Sequence, residues 1–286
     1  MRYEDWHTHN SLCKHAIGSI EDYVKQAIKF NLSVIGISDH FPYEYLATYI
    51  SSLDQIPYER YAMSLNELNV YVAQLEQVRN KYENQIKVRF GFELDYFKDM
   101  DEVLNNYLDS FKEKMDYLYG SVHVLFGKAG IFAFDDSRFL NKYEEYTVND
   151  EVYLEFYTAL QNMIASPAFD FDIITHFDLP KKFDKRVEDK TLVMDKAIET
   201  LELAKKSDLT IEINTSGLRK QAKEQYPSED IIKEMYALDI PILLGSDAHN
   251  PEEIAFKFKE TTALVKSVGY NQLAHFKERK RSFIDI

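Results

Sequence analysis

Short β-forming runs alternate with amphipathic helical stretches along the chain, and almost every histidine falls at the end of one of those runs. The clearest runs are SVIGIS (33–38), KVRFGFEL (87–94), DYLYGSV (116–122), FDIIT (171–175), LTIEI (209–213) and PILLG (241–245), with one more ending near His7. Helices are predicted between them, over 19–30, 61–83, 151–164, 190–206 and 228–238. Ser19 followed three places on by Asp22 makes a capping start, and Ser228 after Pro227 is a candidate N-cap. Strand–helix alternation predicts an α/β fold with a mainly parallel sheet and right-handed crossovers. Seven strands suit a barrel, with an open doubly wound sheet as the competing arrangement. No linker, repeat or composition break divides the sequence, so 1–286 reads as one domain.

The length of 286 residues is ordinary for such a barrel. A net charge of −14 repels nucleic acid and anionic membranes. It leaves a small phosphate ester possible, because bound metal ions reverse the local sign. Cys13, the lone cysteine, has no partner for an internal disulfide. The opening MRYEDWHTHN lacks an apolar signal core, and no run approaches the roughly 18 apolar residues that cross a bilayer. A cytoplasmic enzyme is expected, with a small-molecule substrate and neither nucleic acid nor membrane as partner.

Seven of the eight histidines sit at or just after a strand end: His7, His9, His15, His40, His123, His176 and His249. His275, in what reads as a C-terminal helical stretch, is the exception. Functional residues of α/β barrels occupy that end of the strands. His7 and His9 are two residues apart on a strand, so they face the same side about 7 Å apart. Asp247 and His249 repeat this geometry in GSDAH. Glu93, after an apolar strand, has two oxygens with which to bridge two ions. A lone glutamate there would face solvent; the surrounding histidines reverse that reading. Asp39, in SDH, is a helix cap or an orienting carboxylate, and Asp95 and Asp178 are read in the same supporting way. Asn214 points to the same mouth as a candidate substrate contact. Seven imidazoles with Glu93 and Asp247 exceed one zinc's needs and suit two or three divalent ions, with zinc, iron or manganese matching the donor chemistry.

The segments HTHNSLCKH, ISDHFP, GFELDYF, GSVHVL, THFDL, EINTSGLRK with a following YPS, and LLGSDAHNPEEI resemble the PHP (polymerase and histidinol phosphatase) superfamily, in particular its histidinol-phosphate phosphatases. The resemblance runs from residue 7 to about 254. It implies a distorted, TIM-like (β/α)7 barrel and a three-metal centre. His7, His9, Glu93 and Asp247 would hold one ion. Glu93, His123 and His176 would hold the second, with Glu93 bridging, and His15, His40 and His249 the third. Related sequences often carry an arginine a few residues beyond the fifth-strand histidine, where this chain has Lys181 and Lys182. Lysine keeps the charge and loses the bidentate fork.

The chemistry implied is hydrolysis of a phosphate monoester, most closely L-histidinol phosphate, by a metal-activated hydroxide shared between ions. Arg138, Arg219, Lys181 or Lys182 would add charge at the phosphoryl group; for any one of them a solvated surface charge is the plainer reading. His40 or Asp39 would supply the leaving-group proton. Tyr43 and Glu44, in the 41–60 loop, are possible contacts to the substrate side chain. No G-x-S-x-G elbow, P-loop or G-x-G-x-x-G is present, so serine hydrolysis and nucleotide cofactors are not indicated. Two other readings compete: a PHP phosphoesterase acting on nucleotides or other phosphate esters, and a non-catalytic metal-binding module.

Overall fold

The computed structural model describes residues 2–48 and 60–286. Its barrel strands are β1 (Glu4–Asp5), β2 (Val34–Ile37), β3 (Lys87–Phe90), β4 (Glu93–Asp95) and β5 (Tyr119–Ser121), followed after a hairpin by β8 (Ile173–Ile174), β9 (Thr210–Asn214) and β10 (Ile242–Gly245). All neighbouring pairs are parallel, in the orders β1-β2-β3 and β10-β9-β8-β5-β4. Backbone bonds join these two sheets at both seams. At one, Trp6 N–H donates to the Leu244 carbonyl (3.1 Å) and Thr8 bridges Ala248. At the other, β3 and β4 are two halves of one strand. Gly91 N–H donates to the Ile37 carbonyl (2.8 Å), Glu93 N–H to the Asp39 carbonyl (3.1 Å), and His40 bridges Glu93. The result is a ring of seven short strands, the distorted barrel expected, and an open doubly wound sheet is excluded.

Helices α1 (Ile20–Lys29), α2 (Leu68–Tyr82), α3 (Asp101–Lys112), α4 (Asn149–Ala165), α5 (Lys190–Lys206), α6 (Glu229–Ala237) and α7 (Phe258–Val268) cover the outside. Ser19 and Asp22 cap α1 reciprocally, as predicted. The stretch predicted as one helix over 61–83 begins later: Ser64 and Glu67 form a capping box around a short 3-10 turn, and α2 starts at Leu68. Ser228 occupies the N-cap position of α6 without making a side-chain cap bond; its N–H donates to Asp178 Oδ2 (2.9 Å). Helices α3 and α7 add to the five predicted.

Two antiparallel hairpins interrupt the alternation. The first, β6 (Val124–Gly127) with β7 (Gly130–Ala133), rises beside the mouth after the fourth barrel strand. The second, β11 (Gln272–Lys277) with β12 (Lys280–Asp285), lies at the C-terminus, so His275 sits on a strand and not in a helix. The turn residues Glu278 and Arg279 both have positive φ (51° and 61°), the form favoured by hairpins. That turn usually announces itself with Asn-Gly or Asp-Gly, which this sequence lacks.

Two apolar clusters form the interior. The larger fills the layer between strands and helices. The smaller joins Trp6, Val34, Tyr117, Tyr119, Ile173 and Leu243 of the barrel to Ala274 and Phe276 of the hairpin β11–β12. Trp6 meets Tyr117, His275 and Phe276 edge-on, with centroids 5.3, 5.3 and 6.2 Å away. A Cβ on Gly91 would stand 2.6 Å from the Tyr117 ring, so glycine there makes room for this filling. The C-terminal hairpin therefore plugs the end of the barrel opposite the strand C-termini. Among the described residues, no helix is long and apolar enough to cross a membrane.

Candidate metal centre

The mouth at the strand C-termini gathers the predicted side chains over a cavity of about 410 Å³. His7 and His9 follow β1 and are fully buried beneath it. Their Nε2 atoms lie 3.0 Å apart. Glu93 Oε2 is 3.3 Å from His7 Nε2 and 3.4 Å from His9 Nε2. Asp247 Oδ1 is 3.3 Å from His9 Nε2 and 4.0 Å from His7 Nε2. The other oxygen, Glu93 Oε1, turns to a second group, 3.2 Å from His176 Nε2 and 3.6 Å from His123 Nε2, which themselves approach to 3.0 Å. His15 and His249 bring their Nε2 atoms within 2.9 Å beside His40.

Three imidazole pairs bring ring nitrogens face to face, and where both rings donate through Nδ1, as in His7–His9 and His15–His249, neither facing Nε2 carries a proton and no hydrogen bond joins them. They are good cation cages. The trios His7–His9–Glu93, Glu93–His123–His176 and His15–His40–His249 each place donor atoms within 4.8 Å of one another. His40 Nδ1 is buried without a hydrogen-bond partner, 3.3 Å from Glu93 Oε2. The nitrogen-and-oxygen donor set fits zinc, iron or manganese. Cys13 also comes within reach of His9 and His249. It is fully buried in the 3-10 turn Ser11–Cys13, and its carbonyl accepts from His15 Nδ1 (2.9 Å).

Outer carboxylates fix the rings. Asp39 Oδ1 faces His9 Nδ1 at 3.2 Å, Asp95 Oδ1 faces His123 Nδ1 at 2.7 Å, and Glu212 Oε1 faces His7 Nδ1 at 2.7 Å. Each makes Nδ1 the donor and leaves Nε2 free to bind a cation. Glu212 is fully buried and was missed in the sequence. Its signal was present: in TIEIN, Glu212 and Asn214 are polar residues that alternate with Ile211 and Ile213. Gly245 lets it work, because a Cβ there would collide with Glu212 and stand 2.7 Å from His7 Cβ.

Electrostatics follow the same pairing. Burial alone would depress the His7 pKa, but Glu212, Glu93 and Asp247 hold it well above the usual value. Burial also opposes His9 and His123; Asp247 and Asp39 raise the first to about 9, and Asp95 and Glu93 the second to about 10. Glu93 stays ionised against burial because His40, His7 and His123 surround it. Burial, then the neighbouring His9, hold His249 well below the usual value; burial also holds His40 far down.

Other predicted residues separate by position. Asp39 lies below the cavity, bound by Asn10 Nδ2 (2.6 Å), the Asn10 and His40 amides and His9. These contacts are those of an acceptor that orients the His9 ring. Asn214 donates to Glu212 (3.0 Å) and Asp247 (3.3 Å), and Ser216 Oγ donates to Asp247 (3.0 Å), so Asn214 braces carboxylates and does not line the cavity. Asp247 has a φ of 51°, the left-handed form that aspartate adopts more readily than most residues. Lys181 is buried away from the cavity, on Asp178 (2.7 Å), Glu224 (3.1 Å) and the Gln225 carbonyl (2.8 Å). Arg219 ties down the carbonyls of Ser246 (2.9 Å) and Asp247 (3.2 Å). Arg138 is exposed and paired with Asp136. Tyr43 lines the cavity with its hydroxyl on Asp95; Glu44 instead accepts from the Leu65 amide (2.7 Å). Residues 49–59 of that loop lie outside the described residues.

Lys182 lines the cavity and pairs with Asp135 at 2.8 Å. Lys220 lines it too and, among the described residues, makes no ion pair; burial and then Lys182 lower its pKa. Lys220 was missed because it neighbours Arg219, and spacing alone does not say which of two adjacent cations faces inward. The rest of the wall includes Tyr61, Asp136, Phe183 and Tyr226.

A seven-stranded barrel with this mouth defines a metal-dependent hydrolase. The chain belongs to the PHP domain family, whose model matches residues 5–216. It is 31% identical over 278 residues to a probable histidinol-phosphatase of Deinococcus radiodurans, covering 96% of this chain and 97% of that one. It is 24% identical to the histidinol-phosphatase of Bacillus subtilis, covering 91% and 98%. Among solved structures, one from Listeria monocytogenes, provisionally described as the histidinol phosphatase hisK, superposes with a TM-score of 0.81 at 25% identity, covering 90% of this chain and 99% of that one. The Lactococcus lactis histidinol phosphate phosphatase, crystallised with zinc, L-histidinol and phosphate, shares the fold (TM-score 0.75, 19% identity, covering 98% and 99%).

Proposed function

We propose that the protein is a metal-dependent phosphomonoesterase that hydrolyses L-histidinol phosphate to L-histidinol and phosphate. The carrying observation is Glu93, whose two oxygens face separate sets of imidazole nitrogens at the floor of the cavity. His7, His9, Glu93 and Asp247 would hold one divalent ion, Glu93, His123 and His176 a second, and His15, His40 and His249 a third, with zinc, iron or manganese as the candidates. When bound, the ions neutralise phosphoryl charge and acidify water to the nucleophile.

The chain's own residues position the ester. Lys220 and Lys182 stand on the wall of the same cavity, where they would add positive charge at the phosphoryl oxygens. Asp135 stays ionised against its burial because Lys182 and His123 neighbour it. With Asp136 and the rings of Tyr61 and Tyr226 it gives the cavity an acidic, aromatic side suited to a cationic amine and an imidazole. That lining favours a histidinol-like alcohol over a nucleoside.

The test is phosphate release by metal-reconstituted protein from histidinol phosphate, nucleotides and simple phosphate esters. Preference for histidinol phosphate by about two orders of magnitude in kcat/KM is expected. Equal rates would point to a broader PHP phosphoesterase, and no release with any metal to a binding module. His9→Ala and Glu93→Ala should abolish turnover with an unchanged far-UV spectrum; a wild-type rate in either removes that residue from the mechanism.

A further inference from the structure

The three donor groups differ in charge, backing and exposure. The His7–His9–Glu93–Asp247 group has two carboxylate oxygens aimed inward, and both imidazoles are backed by buried carboxylates, Glu212 and Asp39. Glu93–His123–His176 has one inward carboxylate oxygen, and Asp95 backs His123. His15–His40–His249 has imidazole nitrogens alone as its donors, and the carboxylate oxygens beside it, Asp247 Oδ1 (3.4 Å from His249 Nδ1) and Glu93 Oε2 (3.3 Å from His40 Nδ1), are those that face the first group. Two of these rings lean on backbone carbonyls: His15 Nδ1 donates to Cys13 O (2.9 Å) and His249 Nδ1 to Asp247 O (3.1 Å). The His249 side chain is 28% exposed and His15 is exposed, whereas His7 and His9 are at 0%.

A dication's attraction to a site grows with the inward negative charge and shrinks with access of water. Carboxylate backing also makes an imidazole a stronger donor than a carbonyl does. Resting on the three-ion reading above, we propose that the His15–His40–His249 ion is exchangeable while the two ions sharing Glu93 are held firmly. The centre then loads in a fixed order, and turnover follows the free metal concentration through a single ion. His15 is the natural gate. Of this group's three donors it alone lies in the segment after β1, and that segment is tied to the one after β10 by Ile17 N–H donating to the His249 carbonyl (2.9 Å).

The test is elemental analysis of zinc-loaded protein dialysed against graded nitrilotriacetate, with no activity readout needed. One ion per chain should leave first, at a free zinc concentration about tenfold to a hundredfold above that releasing the others. His15→Ala should lack that first step and keep the two later ones unshifted. His249→Ala serves as a second variant should His15→Ala prove poorly folded. Three ions leaving together, or the early ion persisting in both variants, overturns the proposal. Wild-type protein that takes up no stoichiometric zinc sinks the metal-centre reading itself, a result distinguishable from either.

Discussion

At the scale of single residues, the imidazoles were legible because an extended chain turns residues i and i+2 to one side, which joins His7 to His9; Asp247 and His249 reach the same mouth from beyond the end of β10, where the φ of Asp247 (51°) breaks the alternation expected of them. Glu212 was less so, since nothing in TIEIN says which histidine it backs; only the close approach at Gly245 brings it to His7. Glu212→Gln should weaken metal binding about 10- to 100-fold, measured by competition with a chelator, with little loss of fold. Unchanged affinity would leave Glu212 a packing residue. The lysines offer a contrast. Lys220→Ala should raise KM for the phosphate ester while the thermal midpoint holds. Lys181→Met strands a buried Asp178 carboxylate, and should cost about 3–5 kcal/mol of stability with near-normal kcat in the folded fraction. Reversed behaviour would exchange their assignments.

At the scale of elements, strands with apolar runs and helices with paired caps were read from sequence, and neither hairpin was. The first turn, Lys128–Ala129, is bracketed by Gly127 and Gly130, the latter at a φ of 81°, a mark the sequence reading passed over; the second, Glu278–Arg279, lacks the residues that usually mark one. Helix pairing depends on context. Glu21 on α1 accepts from Lys81 Nζ (2.8 Å) and the Tyr82 hydroxyl (2.7 Å) at the end of α2. Those bonds, with Lys25, lower its pKa from 4.5 to about 2. A depressed carboxylate stabilises above its unfolded pKa and loses that contribution as pH falls through the folded one. Glu21→Gln should therefore lower the urea midpoint slightly at pH 7, and the difference from wild type should fade between pH 4.5 and 2. A gap persisting at pH 2 would assign the effect to packing.

At the scale of the whole molecule, the two ends of the barrel do different jobs. Phe276 is 2% exposed against Trp6 at the plugged end, far from the mouth. Phe276→Ala should cost about 3–5 kcal/mol in denaturant unfolding and leave kcat unchanged; a lost kcat would mean the plug shapes the mouth. The alternation of strands made this ring legible, but its closure depends on a few backbone bonds that no pattern displays. One of those bonds carries a further meaning. The bridge between His40 and Glu93 is a closing stitch of the hoop, and Glu93 is also the side chain toward which the cation cages converge. An unravelled polypeptide thus has no pocket ready for zinc, and occupancy would cinch the last gap like a drawstring, making resistance to heat rise with the supply of ions.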